Sequence, residues 1–371
     1  MANMNDLEKE ITDRFYKEFG GDALRNKPAR KAKQEKPEEL FTAPVVAVAD
    51  DDIRFSMKWG RTPPSGVDHV ITSIVFQPTD WDENIRKFIP KVNPNYVWQW
   101  NQLEDLVVAL LINDKVWISG PRGSGKSSLV EQVCAVLNWP FIRMNGKGDM
   151  DSSGVFGSVK VRPNNGVPET VWVDGPVTTA VKAGAVLLFD EPTVVPPEIS
   201  MGLQWLLEDD GKLMLTDKPG ELEDQLISPN KTFRLVCADN TRGRGDSTGD
   251  YAGTGNWNTA TLDRFGTTIH LPYLDDEHQK SILTRKFPAI APNLIQNMVT
   301  LSTRIQTAYK NGSQTISMSP RTLLSWANKA QVFRNVNKAF VMAYFEKLDE
   351  DVERKEVENI YFAVFGEKLH D

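Results

Sequence analysis

Cysteine and histidine are scarce in this chain, with two and four copies among 371 residues. Cys134 and Cys237 both fall within apolar stretches, which marks them as small core residues in a reducing compartment and argues against a disulfide framework. His69, His270, His278 and His370 lie far apart, without the paired Cys/His spacing that a zinc site needs. Long apolar runs are also missing. None approaches the roughly 18 to 20 residues required to cross a bilayer. The segment Met1–Lys17 is charged throughout and lacks the apolar centre of a secretion signal, so no membrane role and a cytoplasmic location are expected. Nor is positive charge in excess. Forty-three Lys and Arg against 50 Asp and Glu leave a net charge of −7, which argues against non-specific binding to nucleic acid.

Core-forming residues are ample at 40% of the chain, enough for two domains and a tail. One stretch organises them. Val116-Trp-Ile-Ser119 reads as a short buried strand, followed by Gly120-Pro-Arg-Gly123-Ser124-Gly125-Lys126-Ser127-Ser128 and a helix from about Lys126 to Asn138. Glycines at 120, 123 and 125 allow the backbone to wrap around phosphates with its N–H groups pointing inward. The following helix adds its positive N-terminal end, and Lys126 adds a full charge near the β- and γ-phosphates. Ser127 is placed to ligate Mg²⁺ through its hydroxyl. With Ser124 and Ser128 alongside, this is the candidate site for ATP and Mg²⁺.

Upstream, residues 5 to 19 form a plausible amphipathic helix with Leu7, Ile11, Phe15 and Phe19 on one stripe. The basic run Arg25–Lys36 reads as a linker, and residues 43 to 78 as β, with Ile53, Phe55, Met57 and Trp59 alternating. The expected division is 1–42 helix and linker, 43–90 accessory β region, 91–274 α/β core and 275–371 helical domain. A helix is expected over Trp100–Ile112. A hairpin is expected from Val159–Arg162 and Glu169–Val173, with Pro163–Gly166 at its tip, interrupting the second helix of the core. Phe156, before that hairpin, faces either a partner or the core. A second hairpin is expected from Lys212–Thr216 and Gln225–Ile227.

Ala185-Val-Leu-Leu-Phe-Asp190-Glu191 is a buried strand ending in two acids with different tasks. Asp190 is placed to hold the Mg²⁺ shell and Glu191 to orient or deprotonate the attacking water. Phe233–Ala238 is another buried strand, ending in Asp239-Asn240-Thr241. The Asn240 amide there is suited to the γ-phosphate or the attacking water. Thr261-Leu-Asp-Arg264-Phe265 closes a helix, with Phe265 as a core anchor that turns the Arg264 guanidinium outward. An ion pair from Arg264 to Asp263 or Asp239 is the alternative. Five helices are expected over 276–287, 292–310, 320–333, 336–348 and 350–365. Ser319 reads as an N-cap and Pro320 as first-turn proline, which leaves Arg321 early in the third of them.

In this order and spacing, the phosphate loop, Leu-Leu-Phe-Asp190-Glu191, Ala-Asp-Asn240-Thr, Leu-Asp-Arg264-Phe and Ser-Pro-Arg321-Thr resemble AAA+ ATPases of the MoxR/magnesium-chelatase branch. The Gly245-Asp-Ser-Thr-Gly-Asp-Tyr251 run and the ending Ala363-Val-Phe-Gly366 resemble most the ATPase subunits of aerobic cobaltochelatases, and similar chains are carried by large tailed phages. The resemblance spans about Asn93 to Leu369. It implies a five-stranded parallel P-loop core with hairpin insertions in helix 2 and before the sensor strand, followed by an all-helical lid. It further implies a sensor role for Asn240, an arginine finger at Arg264 serving a neighbouring subunit, a second sensor at Arg321, and a homo-hexameric ring. In such ATPases the segment before the Trp100 helix borders the adenine, which makes Tyr96 and Val97 candidate base contacts, while Tyr96, Trp98 and Trp100 suit a plain core role equally.

The function so implied is ATP hydrolysis by a bacterial or phage-encoded motor that remodels a protein partner. Chelatase ATPases work with a partner carrying a von Willebrand A-type adhesion site, Asp-x-Ser-x-Ser. Asp151-Ser-Ser and Asp246-Ser-Thr lack the second spaced hydroxyl, so the adhesion site is expected on another protein. The competing reading is a nucleic-acid translocase, on the strength of Lys160, Arg162, Lys212 and Lys218 in the hairpins.

Overall fold

Residues 81–165, 167–245, 255, 257–349 and 351–369 are described by the structure, a computed structural model. The helix expected at 5–19, the linker at 25–36 and the β region to residue 78 lie outside these residues. Continuous apolar runs set the central sheet. β1 (Val116–Ser119), β5 (Val186–Asp190) and β8 (Arg234–Asp239) are buried at every position, as expected for parallel strands covered on both faces. With β2 (Phe141–Asn145) and β9 (Thr267–His270) they form one five-stranded sheet in the order β2-β5-β8-β1-β9. All four pairings are parallel.

Register decides where the chemistry goes. Ser119 pairs with Asp239 and with His270, and Asp190 pairs with Ala238. The strands therefore end together, and the loops after β1, β5 and β8 leave the sheet at one edge, the carboxyl edge where ligands of open α/β sheets bind. One face of the sheet packs on α1 (Trp100–Leu111) and α2 (Lys126–Val136), through Leu103, Leu106, Leu110, Val130 and Val133. Trp81 joins the same cluster and donates its indole N–H to the Asn138 carbonyl at 2.8 Å. The described end of the region expected as accessory β, residues 81–90, thus packs with the core. The other face is covered by α3 (Pro176–Ala183) and α4 (Pro197–Gln204).

Both insertions are present, with different lengths from those expected. β3 (Gly157–Asn164) and β4 (Val167–Asp174) pair over their full length, Gly157 with Asp174 and Asn164 with Val167. Pro163, expected at the tip, instead lies in the ladder and faces Pro168. A two-stranded ribbon tolerates them because its outer edges carry no further strand. Asn165 takes the turn with φ +50, as an Asn-Gly hairpin tip requires. The second hairpin is shorter. β6 (Leu213–Met214) pairs with β7 (Leu226–Ile227) over two residues each, and the one-turn helix Leu222–Gln225 precedes β7. Phe156 is half-buried, its ring against Gly202 of α4, so it anchors the hairpin base to the core.

The C-terminal part is helical. α5 (Asp276–Lys286), α6 (Pro292–Lys310), α7 (Pro320–Phe333), α8 (Val336–Ala343) and α9 (Asp351–Phe365) enclose a separate core. The helix expected over 336–348 ends at Ala343, because Tyr344 turns (φ −135) and donates its hydroxyl to the Ile316 carbonyl at 2.6 Å. Trp326, Phe340, Tyr361 and Phe365 form the aromatic centre, with Tyr361 stacked on Phe365 at 4.6 Å.

Candidate active site

The loop between β1 and α2 is shaped by positions where a side chain is excluded. A Cβ on Gly120 would collide with the Leu271 carbonyl, and Gly123 and Gly125 take φ of +79 and +97. Gly123 also lies against the N-terminus of α7, where an added Cβ would stand 3.2 Å from Ser319 Cβ and 3.3 Å from Pro320 Cδ. Ser319 caps that helix by accepting the Thr322 N–H at 3.3 Å. The helical part thus closes onto the phosphate loop at the turn that carries Arg321, whose side chain is exposed.

Lys126 opens α2 and is almost wholly buried. Its ammonium donates to the carbonyls of Gly120 (2.7 Å) and Pro121 (3.1 Å) and to Asn240 Oδ1 (2.7 Å). Burial pulls its pKa down to about 8, against the opposing pull of Asp190, Asp239 and Glu191. The amide of Asn240 reaches the other way, donating to Glu191 Oε1 at 3.4 Å. Glu191 itself sits in the left-handed region (φ 54, ψ 51), uncommon for a residue with a side chain and frequent where function dictates the backbone. Its N–H is held by the Ala238 carbonyl at 2.8 Å. The three residues expected to handle the phosphate, the amide contact and the water are therefore joined in one chain of contacts.

Ser127 donates its hydroxyl to Asp190 Oδ2 at 2.7 Å. A hydroxyl beside a carboxylate is the hard-oxygen pair suited to Mg²⁺, which keeps few protein ligands and takes the rest from phosphates and water. No group of three or more His, Cys, Asp or Glu is gathered to hold a metal among the described residues. The buried Ser124 hydroxyl has no hydrogen-bond partner among the described residues, which adds an available polar atom to the loop. These donors fit a Mg²⁺-bound triphosphate. Sequence reasoning missed Arg143, which reaches from β2 to form an ion pair with Asp190 Oδ2. Its only sequence signal is a cation between the apolar residues Ile142 and Met144. His270 was also passed over; its Nδ1 lies 3.2 Å from Ser119 Oγ, and burial, then Arg242 and Lys126, hold its pKa below the usual imidazole range.

Tyr96 and Val97 are half-buried, in a segment tied to both sides of the site. Gln99 Nε2 donates to the Ser124 carbonyl at 3.3 Å, and Arg285 of α5 donates to the Tyr96 carbonyl at 3.0 Å. Tyr96 also packs edge-on to Trp98 at 4.6 Å, and desolvation raises its phenol pKa. Arg264 follows the one-turn helix Thr259–Leu262, and its guanidinium pairs with Glu208 at 3.0 Å rather than with Asp263 or Asp239. Phe265 is buried against Trp117 at 5.1 Å, as expected of an anchor.

A family model described as an AAA domain of the dynein-related subfamily matches residues 115–265. The aerobic cobaltochelatase subunit CobS of Sinorhizobium sp is 31% identical over 288 residues, 76% of this chain and 85% of that protein. The uncharacterized protein YojN of Bacillus subtilis (strain 168) is 30% identical over 264 residues, 71% of this chain and 82% of that protein. Among solved structures, the RuvB Holliday junction branch migration motor of Thermotoga maritima aligns with 72% of this chain and 75% of its own at 19% identity and a TM-score of 0.43.

Proposed function

This chain belongs to the AAA+ ATPases, in the family that includes the aerobic cobaltochelatase subunit, and from that premise we propose that it is a ring-forming motor that hydrolyses Mg-ATP to remodel a protein partner, in the manner of a chelatase subunit or a MoxR-type chaperone. The observation that carries the hydrolytic part is the contact chain Lys126–Asn240–Glu191 at the carboxyl edge of the sheet. Lys126 and the loop N–H groups bind and orient the triphosphate. Ser127 and Asp190 would hold Mg²⁺, which when bound neutralises phosphate charge. Glu191 accepts the proton of the attacking water, and Asn240 keeps that carboxylate in place. Arg264 serves the neighbouring subunit's nucleotide, and Arg321 meets its own or its neighbour's from the start of α7. Tyr96 and Val97 contact the base.

The partner is a protein with a von Willebrand A-type adhesion site, and the ring is a homo-hexamer in the cytoplasm. No helix among the described residues is long and apolar enough to cross a membrane. The nucleic-acid reading loses support between the hairpins. A cavity of about 1050 Å³ there is lined by Phe156, Trp172 and Trp205, by the acids Glu198, Glu208, Asp209, Asp210 and Asp217, and by the base Lys212, and this excess of acids over bases would repel a phosphate backbone. Native mass spectrometry with Mg-ATP, phosphate release and a pull-down with the adhesion-site protein test the proposal together. Absence of ATP turnover in assembled rings would overturn it, and DNA-stimulated turnover would favour the translocase instead.

A further inference from the structure

Asp239 ends β8, is 1% exposed, and does not pair with Arg264, which goes to Glu208. Its carboxylate accepts four hydrogen bonds from neutral donors. Oδ1 takes the Thr193 hydroxyl at 2.8 Å. Oδ2 takes the Thr241 N–H at 2.9 Å, the Thr241 hydroxyl at 2.7 Å and the Gly243 N–H at 2.9 Å. A buried carboxylate is costly unless its oxygens are satisfied, and an acceptor-only group serves donors on both oxygens where an amide cannot. The backbone carbonyl of Asp239 also accepts the Gly120 N–H at 3.3 Å. One residue thus touches the phosphate loop, the turn after Glu191 and the loop after Asn240.

Thr193 extends this frame. It stands two residues after Glu191, and its carbonyl accepts the Gly255 N–H at 2.6 Å. Next to it, the Pro192 carbonyl accepts the Trp257 indole N–H at 3.0 Å. The Trp257 ring lies 5.3 Å from Trp117 of β1 and 6.2 Å from Phe265, the neighbour of Arg264. We infer that Asp239 is the positioning residue of the hydrolytic centre, which through Thr193 sets Glu191 against Asn240 and carries that setting to the base of Arg264. The inference rests on the proposed ATPase reading. Three of the carboxylate's bonds fix its own turn, and the fourth, from Thr193, joins the turn after Glu191 to the strand end before Asn240.

The test uses the full chain assembled into rings, with Thr193→Val, Thr193→Ser and Asp239→Asn compared with wild type. Valine keeps the shape of threonine and removes only the hydroxyl. Thr193→Val is expected to lower kcat on the order of tenfold to hundredfold, as small misplacements of reacting groups do. Its Kd for Mg-ATP stays near wild type, its Tm falls because the buried Oδ1 loses the Thr193 donor, and Thr193→Ser restores both turnover and Tm. Asp239→Asn falls with it, and the double variant loses no more than the worse single one. In mixed rings, Thr193→Val subunits rescue Arg264→Ala subunits less well than Lys126→Ala subunits do, because the finger they lend is displaced. Turnover of Thr193→Val within about twofold of wild type, or parallel loss of affinity and Tm without rescue by serine, overturns the inference and leaves the ATPase reading standing. Wild-type rings without turnover overturn both.

Discussion

The Lys126 ammonium donates to Asn240 Oδ1 at 2.7 Å, so the cation of the phosphate loop and the amide at the tip of β8 are in direct contact. The other end of that amide meets Glu191. Asn240→Ala should therefore lower turnover on the order of 10², the typical cost of removing one preorganised donor, with little change in ATP affinity. Single-turnover kinetics beside equilibrium nucleotide binding separate the two effects. A rise in Kd that accounts for the whole loss would show that Asn240 acts only through Lys126.

The pKa of Lys126, near 8, makes nucleotide binding pH-dependent. The triphosphate needs the ammonium form, which is lost as pH rises through 8 in the free protein. ATP affinity should hold between pH 6 and 7.5 and then weaken, approaching about tenfold per pH unit, the slope of one proton taken up on binding. Lys126→Ala should bind weakly at every pH and show no bend. Calorimetric titration across that range is the measurement.

Glu191→Gln should keep ATP binding and lose turnover by about 10² to 10⁴, because the base is gone while Lys126 and the loop remain. The ring should then hold ATP rather than ADP, as chromatography of the bound nucleotide would show. Wild-type turnover in this variant would remove the general-base assignment.

Arg264 is half-exposed and paired with Glu208, itself half-exposed at 52%. Exposed pairs of this kind contribute only about 0 to 1 kcal/mol, so the guanidinium is free to leave for a neighbour's phosphate. Arg264→Ala should cost on the order of 10³ to 10⁵ in turnover. Mixing Arg264→Ala with Lys126→Ala subunits should restore part of it, since an intact finger then meets an intact loop at some interfaces. Rings that assemble yet never exceed the sum of the two variants would rule out action across the interface.

The β3–β4 hairpin forms a sheet of its own, and it leaves Val161 and Val167 exposed at 69% and 66%. Replacing residues 162–168 with a short turn should leave basal ATP turnover unchanged and abolish its stimulation by the protein partner. Equal loss of both activities would mark the hairpin as structural.

Much of the site was legible in the chain because its chemistry depends on local spacing. The phosphate loop, the Asp190-Glu191 pair and Asn240 each follow a run of apolar residues, and such runs identify strands with both faces covered. Helix starts at Pro292 and Ser319-Pro320 were equally local, being set by capping and by the missing proline N–H. Contacts between distant segments were not legible. The candidates for an Arg264 ion pair were the adjacent Asp263 and the strand-end Asp239, yet Glu208 takes it, and Asp239 is occupied by four donors from two loops. Pro163 reads as a turn residue in the sequence, yet it lies in the ladder opposite Pro168.

The sequence by itself determined which residue types stand at the ends of β1, β5 and β8, because strand, loop and helix signals lie within a few residues of one another. Only the tertiary structure decided that these ends share one edge, that Arg143 reaches Asp190, and that Thr193 meets Asp239. Parallel register sets those relations, and it depends on how strands far apart in the chain bury their faces together, which local propensity does not encode.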